Sequence, residues 1–441
     1  MSDTKGGINP RELVLQVLME VLEKGQYSHL MLKSILDKYA FLSKQDRSFI
    51  SRLSNGVIER MLTLDYVIDQ FSKTKVKKMK PLIRNVMRMG CYQILYMDKV
   101  PASAACNESV KLVKKHGFQP LSGFVNGVLR SIARQKDEIS YPDKSQDFVQ
   151  YCSVCYSMPP WIVSMWIEQF GEAVAEQLLQ NTLSVRPLTI RIDALSEKEQ
   201  ASYLKELADS GVSVKKTSLP YAFELAGYDT VEALPGYAEG KFVVQDLGSM
   251  LIVQKADIGP ADTVIDVCGA PGGKALHAAQ KATKGTVSVR DVSDYKIAMI
   301  TENIARSGLT NVEPLLWDAT VLRREDIETA DVVIADLPCS GLGVIGRKPE
   351  IKYRVTREDI REIAALQRTI LDTVRQYVKV GGTLMYSTCT LTSEENEQNV
   401  EWFLANHPFR CEMSTALLPQ TDGRGTDGFY MAKLIREKSD D

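Results

Sequence analysis

A regular alternation of apolar runs and amphipathic stretches, which begins near residue 240, is the feature that most restricts the fold. The runs TVIDV, GTVSV, DVVIAD and GGTLMYST have the length and composition of buried parallel strands. The intervening stretches ALHAAQKA, DYKIAMITENIARSG and REIAALQRTILDTVRQYV have helical spacing. This order predicts a doubly wound α/β sheet, which binds ligands at the carboxyl ends of its strands.

The N-terminal part of the chain has a different pattern. Residues 8–135 show only helical spacing of apolar residues, with Ser43 expected to cap one helix and Pro81 to begin another. A polar stretch at 136–150 reads as a linker. We therefore predict an all-helical domain at 1–140, a small α/β domain at 150–235 and the doubly wound domain at 236–441.

Charge is divided unevenly along the chain. Residues 1–138 carry a net charge of +10, and residues 139–441 carry −12. The stretch 71–88 holds seven basic residues and no acidic one. Such a segment indicates a polyanion partner, although a solvated helix face is an equally good reading. The candidate contacts are Lys75, Lys77, Lys78 and Lys80.

Composition places the chain in a reducing compartment. Eight scattered cysteines do not suggest a disulfide scaffold, and no apolar run reaches the roughly 18–20 residues that span a membrane. The N-terminus lacks the features of a signal peptide, so we expect a cytoplasmic protein. Cys152 and Cys155 form one C-x-x-C pair, which alone is weak evidence for zinc and is read as structural. No metal and no membrane are expected.

A Gly-rich turn links the first predicted strand to a helix, in VIDVCGAPGGKALHAA. A Walker loop does not fit, because Cys268 replaces its first Gly and Ala275 its Ser or Thr. Asp291 ends the next strand, where a carboxylate can bind ribose hydroxyls; a helix N-cap is the alternative role. A nucleoside without a phosphate signature points to S-adenosylmethionine.

Two further strand ends carry reactive side chains. Asp336 and Cys339 end one strand in DVVIADLPCSG, and Cys389 follows another in YSTCT. A shared pocket for the two thiols is as plausible from pattern alone as two unrelated buried cysteines.

These segments resemble the RNA 5-methylcytosine methyltransferases. The family motif D-x-C-A-A-P-G-G-K-T-x-H is similar to residues 266–277, D-x-P-C-S-G to 336–341, and Y-S-T-C to 386–389. The helical region resembles the NusB-type RNA-binding fold, so nearly the whole chain is similar to the RsmB (Sun or Fmu) enzymes. Departures from the pattern are Gly269 for Ala, Ala275 for Thr, and Asp193 for Asn.

The resemblance implies three domains and a set of roles. It implies a NusB-like domain, a small α/β RNA-recognition domain, a Rossmann-like methyltransferase domain, and methylation of cytosine C5 in 16S ribosomal RNA. A thiolate that adds to C6 makes C5 nucleophilic. Attack is assigned to Cys389, release to Cys339, and a neutral acid beside N3 to Asp336, because a dry pocket can keep Asp protonated. The reverse assignment of the thiols, as in DNA cytosine methyltransferases, stays open.

The same match implies the cofactor and RNA contacts. S-adenosylmethionine is expected along the Gly-rich turn, with Asp291 at the ribose, Asp318 near the adenine and Asp336 near the sulfonium. The turn comprises Cys268, Gly269, Ala270, Pro271, Gly272, Gly273 and Lys274. The basic residues after Asp336 are candidates for gripping phosphates, with a solvated loop as the alternative: Arg347, Lys348, Lys352 and Arg354.

Two other functions remain as alternatives. Transfer RNA is the rival substrate for a cytosine-C5 methyltransferase. A non-enzymatic NusB-like RNA-binding factor is the rival class, against which the intact Asp336, Cys339 and Cys389 argue. A monomer is expected.

Overall fold

A computed structural model describes residues 8–184, 186–192, 196–419 and 426–439. The chain forms two compact units. The first contains residues 1–184 and the segment 347–354, and the second contains residues 185–346 and 355–441. Asp193, one of the departures from the family pattern, lies outside the described residues.

The first unit is helical, as predicted. The Ser43 side chain accepts a hydrogen bond from the Asp46 N–H at 3.1 Å, and Pro81 is the first residue of its helix. Both expected helix starts are therefore confirmed. The helices bury one continuous apolar core that includes Leu18, Leu53 and Val86. They are α1 (Pro10–Leu18), α2 (Ser28–Lys38), α3 (Lys44–Glu59), α4 (Met61–Phe71), α5 (Pro81–Tyr96), α6 (Ala102–Lys115) and α7 (Ser122–Arg134).

Further helices of this unit extend beyond the domain boundary that we expected near residue 150. Thr63 Oγ1 donates to the Val154 carbonyl at 2.6 Å, and the Leu62 N–H donates to Ser157 Oγ at 2.9 Å. These bonds join the segment to α4, which is why the compact unit ends at 184. The helices are α8 (Phe148–Cys155), α9 (Pro160–Phe170) and α10 (Glu172–Thr182).

The second unit begins with a small antiparallel sheet. Its strand order among the described residues is β2-β3-β1-β4. Ser196 and Glu199 form a capping box at the start of the accompanying helix. The elements are β1 (Leu188–Arg191), α11 (Glu197–Asp209), β2 (Ser213–Lys216), β3 (Ala222–Ala226) and β4 (Val243–Val244).

The larger sheet has the predicted doubly wound core. Its order in the described part of the chain is β10-β11-β9-β8-β5-β6-β7, with parallel pairing from β9 to β7. Its elements are α12 (Leu247–Lys255), β5 (Thr263–Asp266), α13 (Gly273–Lys281), β6 (Thr286–Asp291), α14 (Asp294–Ser307), β7 (Val312–Leu316), β8 (Ala330–Asp336), α15 (Arg357–Val374), β9 (Val378–Thr388), α16 (Glu397–Asn406), β10 (Phe409–Leu417) and β11 (Phe429–Arg436).

Packing on both faces explains why these strands read as continuous apolar runs. Val264 and Ile334 point to the core beneath α13, whereas their neighbours Ile265 and Val333 point to the core beneath α15. Because β5 lies between β6 and β8, the strand order reverses there. The carboxyl ends of β5 and β8 thus form the switch point at which such sheets bind ligands.

The pattern did not predict strands β10 and β11. β11 pairs with β9 and β10 pairs with β11, both in antiparallel register. The two strands therefore extend the parallel sheet at one edge. None of the helices in the described ranges is long and apolar enough to cross a membrane.

Candidate functional site

The structure brings the two predicted cysteines together. Cys339 follows β8 and Cys389 follows β9, and these strands are parallel neighbours. The Cys339 and Cys389 Sγ atoms lie 3.0 Å apart, and the Cys389 N–H donates to Cys339 Sγ at 3.3 Å. The two thiols therefore occupy one site at the carboxyl edge of the sheet.

Asp336 lies at the same edge, where it is half-buried and ion-paired and not enclosed in the dry pocket that we expected. Its Oδ2 accepts a hydrogen bond from Lys274 Nζ at 2.5 Å, and its Oδ1 accepts one from Ser387 Oγ at 2.7 Å. Although burial lowers the pKa of Lys274, the adjacent Asp336 outweighs it and raises that pKa. Asp336 is therefore held in an ion pair with a protonated lysine.

The thiols of this region differ in their surroundings. The contact with Cys389 and then burial raise the pKa of Cys339 well above its ordinary value. Burial, reinforced by Asp266, raises the pKa of Cys268. A raised pKa favours the protonated thiol in both Cys339 and Cys268, so the 3.0 Å contact between Cys339 and Cys389, and not the pKa, makes these two the candidate reactive pair.

The Gly-rich turn packs closely against the side chains beneath it. A Cβ on Gly269 would lie 2.4 Å from Val289 Cγ2 and 2.8 Å from Asp266 Cγ, so only Gly fits there. Gly272 has φ +105°, a conformation that other residues rarely adopt. The departure from Ala at position 269 therefore has a steric reason.

A buried acid that we did not predict as a site residue lies beneath this turn. Asp266 ends β5 and is 0% exposed. Among the described residues no hydrogen bond of normal geometry reaches its carboxyl oxygens, although the backbone N–H of Cys268 lies close enough to lower its pKa. Burial raises the pKa of Asp266 to about 7, while Lys274 opposes this shift. Buried carboxyl oxygens in this state indicate a place where a polar ligand group supplies the missing donors.

The two acids proposed for the ribose and adenine lie at neighbouring strand ends. Asp291 is 4% exposed and accepts from the Val292 N–H at 2.8 Å and from Lys296 Nζ at 3.2 Å. Ser293, not Asp291, is the N-cap of α14, so the alternative role for Asp291 is excluded. Asp318 is exposed, and it lines a shallow pocket together with the apolar side chains of Val292, Leu316, Trp317 and Val321.

The predicted lysines of the first unit are accessible. Lys75, Lys77, Lys78 and Lys80 are all exposed, in the connection between α4 and α5. Lys75 Nζ donates to the Asp69 carbonyl at 3.0 Å, and Lys80 Nζ lies 5.1 Å from the centre of the Phe118 ring. Their ammonium groups are placed where a polyanion could reach them.

The basic residues after Asp336 do not form a common phosphate grip. Lys352 is 1% exposed, and its Nζ donates to the Glu59 carbonyl at 2.8 Å. Arg354 is half-buried, and its Nη2 donates to the Gln26 carbonyl. The burial of Lys352 contradicts the prediction that it contacts RNA. Arg354 is bonded to the turn that precedes α2. Of the other two, Arg347 is exposed and Lys348 is half-buried.

The segment 347–354 instead acts as a structural part of the helical unit. Glu350 accepts from the Ser28 N–H at 3.0 Å and from Ser28 Oγ at 2.8 Å. The Tyr353 hydroxyl lies 3.2 Å from Ser157 Oγ. These contacts explain why the segment belongs to the first unit although its flanking residues belong to the second.

Family models match all three regions of the chain. The model "16S rRNA methyltransferase RsmB/F" matches residues 254–435, and the NusB family model matches residues 8–134. The model of the ferredoxin-like domain of RsmF/B-like methyltransferases matches residues 158–232.

Relatives extend this similarity over the full length. The probable ribosomal RNA small subunit methyltransferase B of Bacillus subtilis is 33% identical, over 97% of this chain and 98% of its own. The corresponding protein of Synechocystis is also 33% identical, over 97% of this chain and 99% of its own.

Solved structures share the fold. The crystal structure of PH0851 matches with a TM-score of 0.80 and 23% identity, covering 98% of this chain and 99% of the other. The structure of NSun6 from Pyrococcus horikoshii with SFG gives 0.57 and 22%, covering 64% of this chain and 99% of the other. Together with the full-length relatives, the matches to all three regions show that this chain belongs to the RsmB/F family of 16S rRNA methyltransferases.

Proposed function

We propose that the protein transfers a methyl group from S-adenosylmethionine to C5 of a cytosine in 16S ribosomal RNA, through a covalent bond between Cys389 and C6. The observation that carries this proposal is the 3.0 Å separation of the Cys339 and Cys389 Sγ atoms. A C5 methylation needs one thiol to attack C6 and a base to remove the C5 proton. Two adjacent thiols beside an acid supply both groups.

The residues around the Gly-rich turn fit S-adenosylmethionine. The buried carboxyl oxygens of Asp266 need donors, which the amino group of the cofactor's methionine part carries. Asp291 is suited to the ribose hydroxyls, and the apolar pocket beside Asp318 is suited to the adenine. When bound, the cofactor would supply a methyl group activated by a sulfonium.

We assign the ion pair of Asp336 and Lys274 to the N3 side of the target cytosine. Attack at C6 pushes negative charge towards N3, and a positioned proton donor stabilises that charge. Because Asp336 is paired with the protonated Lys274 at 2.5 Å, the pair together carries the proton that a neutral Asp336 was expected to provide. The cytosine must leave any base stack to reach it.

The two thiols change roles as the reaction proceeds. The contact with Cys389, and then burial, raise the pKa of Cys339 and favour a proton on it, so we assign the attack to Cys389. Once Cys389 is bonded to C6, it is no longer a thiol partner of Cys339, and the first cause of the raised Cys339 pKa is removed. Cys339 can then release its proton to solvent and act as the base that takes the proton from C5. The electrons of that C–H bond re-form the C5–C6 double bond as the bond between Cys389 and C6 breaks.

The polyanion-binding surface is assigned to the helical unit. The exposed lysines of 75–80 offer the phosphate contacts that RNA requires. A cytoplasmic location is part of the proposal, because the substrate is an RNA of the small ribosomal subunit. RNA positions the target cytosine through these contacts, and the bases around it supply the specificity.

Bisulfite sequencing of total RNA from a deletion strain tests the proposal. In the deletion strain we expect one 16S cytosine to lose its protection from bisulfite conversion. The wild-type gene should restore this protection, and the Cys389→Ala variant should not. If a transfer RNA cytosine loses its protection instead, the substrate is transfer RNA and not 16S ribosomal RNA. Unchanged patterns in both RNAs would favour the non-enzymatic RNA-binding factor.

A further inference from the structure

Glu395 is a buried carboxylate that the reaction proposed above does not use. Its residue is 0% exposed, and Oε1 accepts from the Ser340 N–H at 2.7 Å. Its Oε2 accepts from Ser340 Oγ at 2.5 Å and from Thr392 Oγ1 at 2.6 Å. Burial raises the pKa of Glu395, and the hydroxyl and N–H donors oppose that shift. A charge is rarely buried without a reason, so its partners indicate what it holds.

Each partner lies beside one of the two cysteines. Ser340 directly follows Cys339 in the Cys339 loop (residues 337–341), and Thr392 lies in the Cys389 loop (residues 389–396). The hydroxyls of Ser340 and Thr390 lie 2.7 Å apart, which adds a second link between the loops. Glu395 therefore bridges the two loops with both of its oxygens.

Gln367 of α15 supports the same arrangement from the other side of Cys339. Its Nε2 donates to the Pro338 carbonyl at 2.8 Å and to Glu395 Oε1 at 3.4 Å. Its Oε1 accepts from Asn399 Nδ2 at 2.8 Å. The peptide units before and after Cys339 are thus both held, and a fully bonded buried network of this kind specifies one geometry.

We propose that Glu395 is a positioning residue that holds the Cys339 loop against the Cys389 loop, so that both thiols reach one base. The importance of this for methylation rests on the function proposed above, but the effect on the thiol geometry does not. Glu395 acts through Ser340 and Thr392 and is not placed at the reacting atoms.

Replacement by Gln separates this role from mere space filling. Gln has the size of Glu, but its side-chain amide brings two N–H donors where the carboxylate only accepts. If the amide oxygen accepts from the Ser340 N–H, the amide N–H groups face the Ser340 and Thr392 hydroxyls, which must turn to accept. Gln therefore replaces the charge-assisted bonds of the carboxylate by weaker neutral ones, including the bond from the Ser340 hydroxyl that joins the loops. Glu394→Gln is the matched control. Glu394 is the neighbouring residue and is half-buried, and this substitution removes the same charge as Glu395→Gln.

Disulfide formation measures the thiol geometry without any methyl transfer. Diamide takes two electrons and two protons from Cys339 and Cys389; an S–S bond forms, and the N=N bond of diamide is reduced to a hydrazine. We expect Glu395→Gln to slow this cross-link roughly tenfold or more in the full-length protein, the effect of one charge-assisted hydrogen bond. Glu394→Gln should keep the wild-type rate. Peptide mapping identifies the bond.

Thermal unfolding and cofactor titration show whether the variant is folded and loaded normally. A folded Glu395→Gln protein with the wild-type cross-linking rate would overturn the proposal. If this variant does not fold, Ser340→Ala takes its place, because it keeps the backbone N–H contact and removes both hydroxyl contacts. A severalfold slower cross-link in Ser340→Ala supports the proposal, and an unchanged rate overturns it.

A methylation assay distinguishes failure of this inference from failure of the proposed function. In Glu395→Gln we expect kcat for RNA methylation to fall, while the dissociation constant of S-adenosylmethionine stays unchanged. If the wild-type protein does not methylate cytosine, the proposed function fails, but the cross-linking result still decides the role of Glu395. An unchanged kcat in an active enzyme overturns its role in positioning.

Discussion

The Sγ atoms of Cys339 and Cys389 lie 3.0 Å apart although 50 residues separate them in the chain. The parallel pairing of β8 with β9 produces this contact, because Asp336 is in register with Ser387 and each cysteine follows its strand end closely. The two thiols thus occupy one site and, on our proposal, act on one target base.

Replacing the two cysteines singly should have different results. Cys339→Ala leaves the attacking thiol intact but removes the base that permits release, so the protein should accumulate covalently joined to RNA through Cys389. Cys389→Ala should give no adduct. A denaturing gel detects the joined species as a slowly migrating band that ribonuclease removes.

The double variant is the control for this experiment. It should resemble Cys389→Ala, because no adduct can form. An adduct in Cys389→Ala and none in Cys339→Ala would reverse the roles. Activity without an adduct in either single variant would contradict the covalent mechanism.

Asp291 should contribute to cofactor affinity. It is 4% exposed at the end of β6, and Asp291→Ala would leave buried hydrogen-bonding groups of a bound ribose unpaired. We expect binding of S-adenosylmethionine to weaken by about 1–3 kcal/mol, measured by calorimetry. Asp294→Ala, at an exposed position three residues away, should bind normally. Equal affinities of the two variants would rule out the ribose contact.

The exposed lysines of the first unit should determine the salt dependence of RNA binding. Substitution of all four by Gln should weaken binding, and the slope of log K against log salt should decrease by about 0.7–0.9 for each lost phosphate contact. Cofactor binding should not change. The four positions are Lys75, Lys77, Lys78 and Lys80.

A second set of exposed lysines in the same unit provides a charge-matched control. Equal losses in both sets would show only a general effect of net charge, and an unaltered slope in the first set would mean that these side chains do not contact RNA. The control positions are Lys24, Lys38, Lys99 and Lys136.

Lys352 should make stability depend on pH. Burial lowers its pKa in the folded chain to about 7, whereas the unfolded value is about 10.4. Between these values the unfolded chain binds more protons, so the free energy of unfolding should rise with pH. The rise from this residue is at most about 1.4 kcal/mol per pH unit. Lys352→Met should remove it.

Urea unfolding of the full chain between about pH 7 and pH 10 measures this slope. Lys348→Met, in the same segment but half-buried, should keep the wild-type slope. The prediction fails if Lys352→Met and the wild-type protein gain stability equally over this range.

Local sequence patterns predicted most of the framework. Apolar runs at strand spacing indicated β5, β6, β8 and β9, and capping residues such as Ser43 indicated helix starts. The added strands β10 and β11 were missed, because antiparallel strands at a sheet edge lack the βα alternation on which the interpretation depended. The pairing of β11 with β9, and of β10 with β11, depends on which surfaces pack together in the folded chain.

The sequence predicted which candidate side chains lie at strand ends but not which residues they contact. Cys339, Cys389 and Asp336 follow strand ends, a position that local sequence reveals. The partners of Asp336 and Ser340 are Lys274 and Glu395, which are 62 and 55 residues away. No local pattern reports such distant pairs, so the ion pair of Asp336 with Lys274 could not be predicted.

By itself, the sequence determined the helical and doubly wound regions and the strand ends at which the chemistry lies, because periodicity and turn residues act over a few neighbours. Only the tertiary structure decided that Cys339 and Cys389 touch, that Glu395 joins their loops, and that Lys352 is buried instead of facing RNA. Burial and long-range hydrogen bonds depend on which surfaces pack together, and that is a property of the whole folded chain.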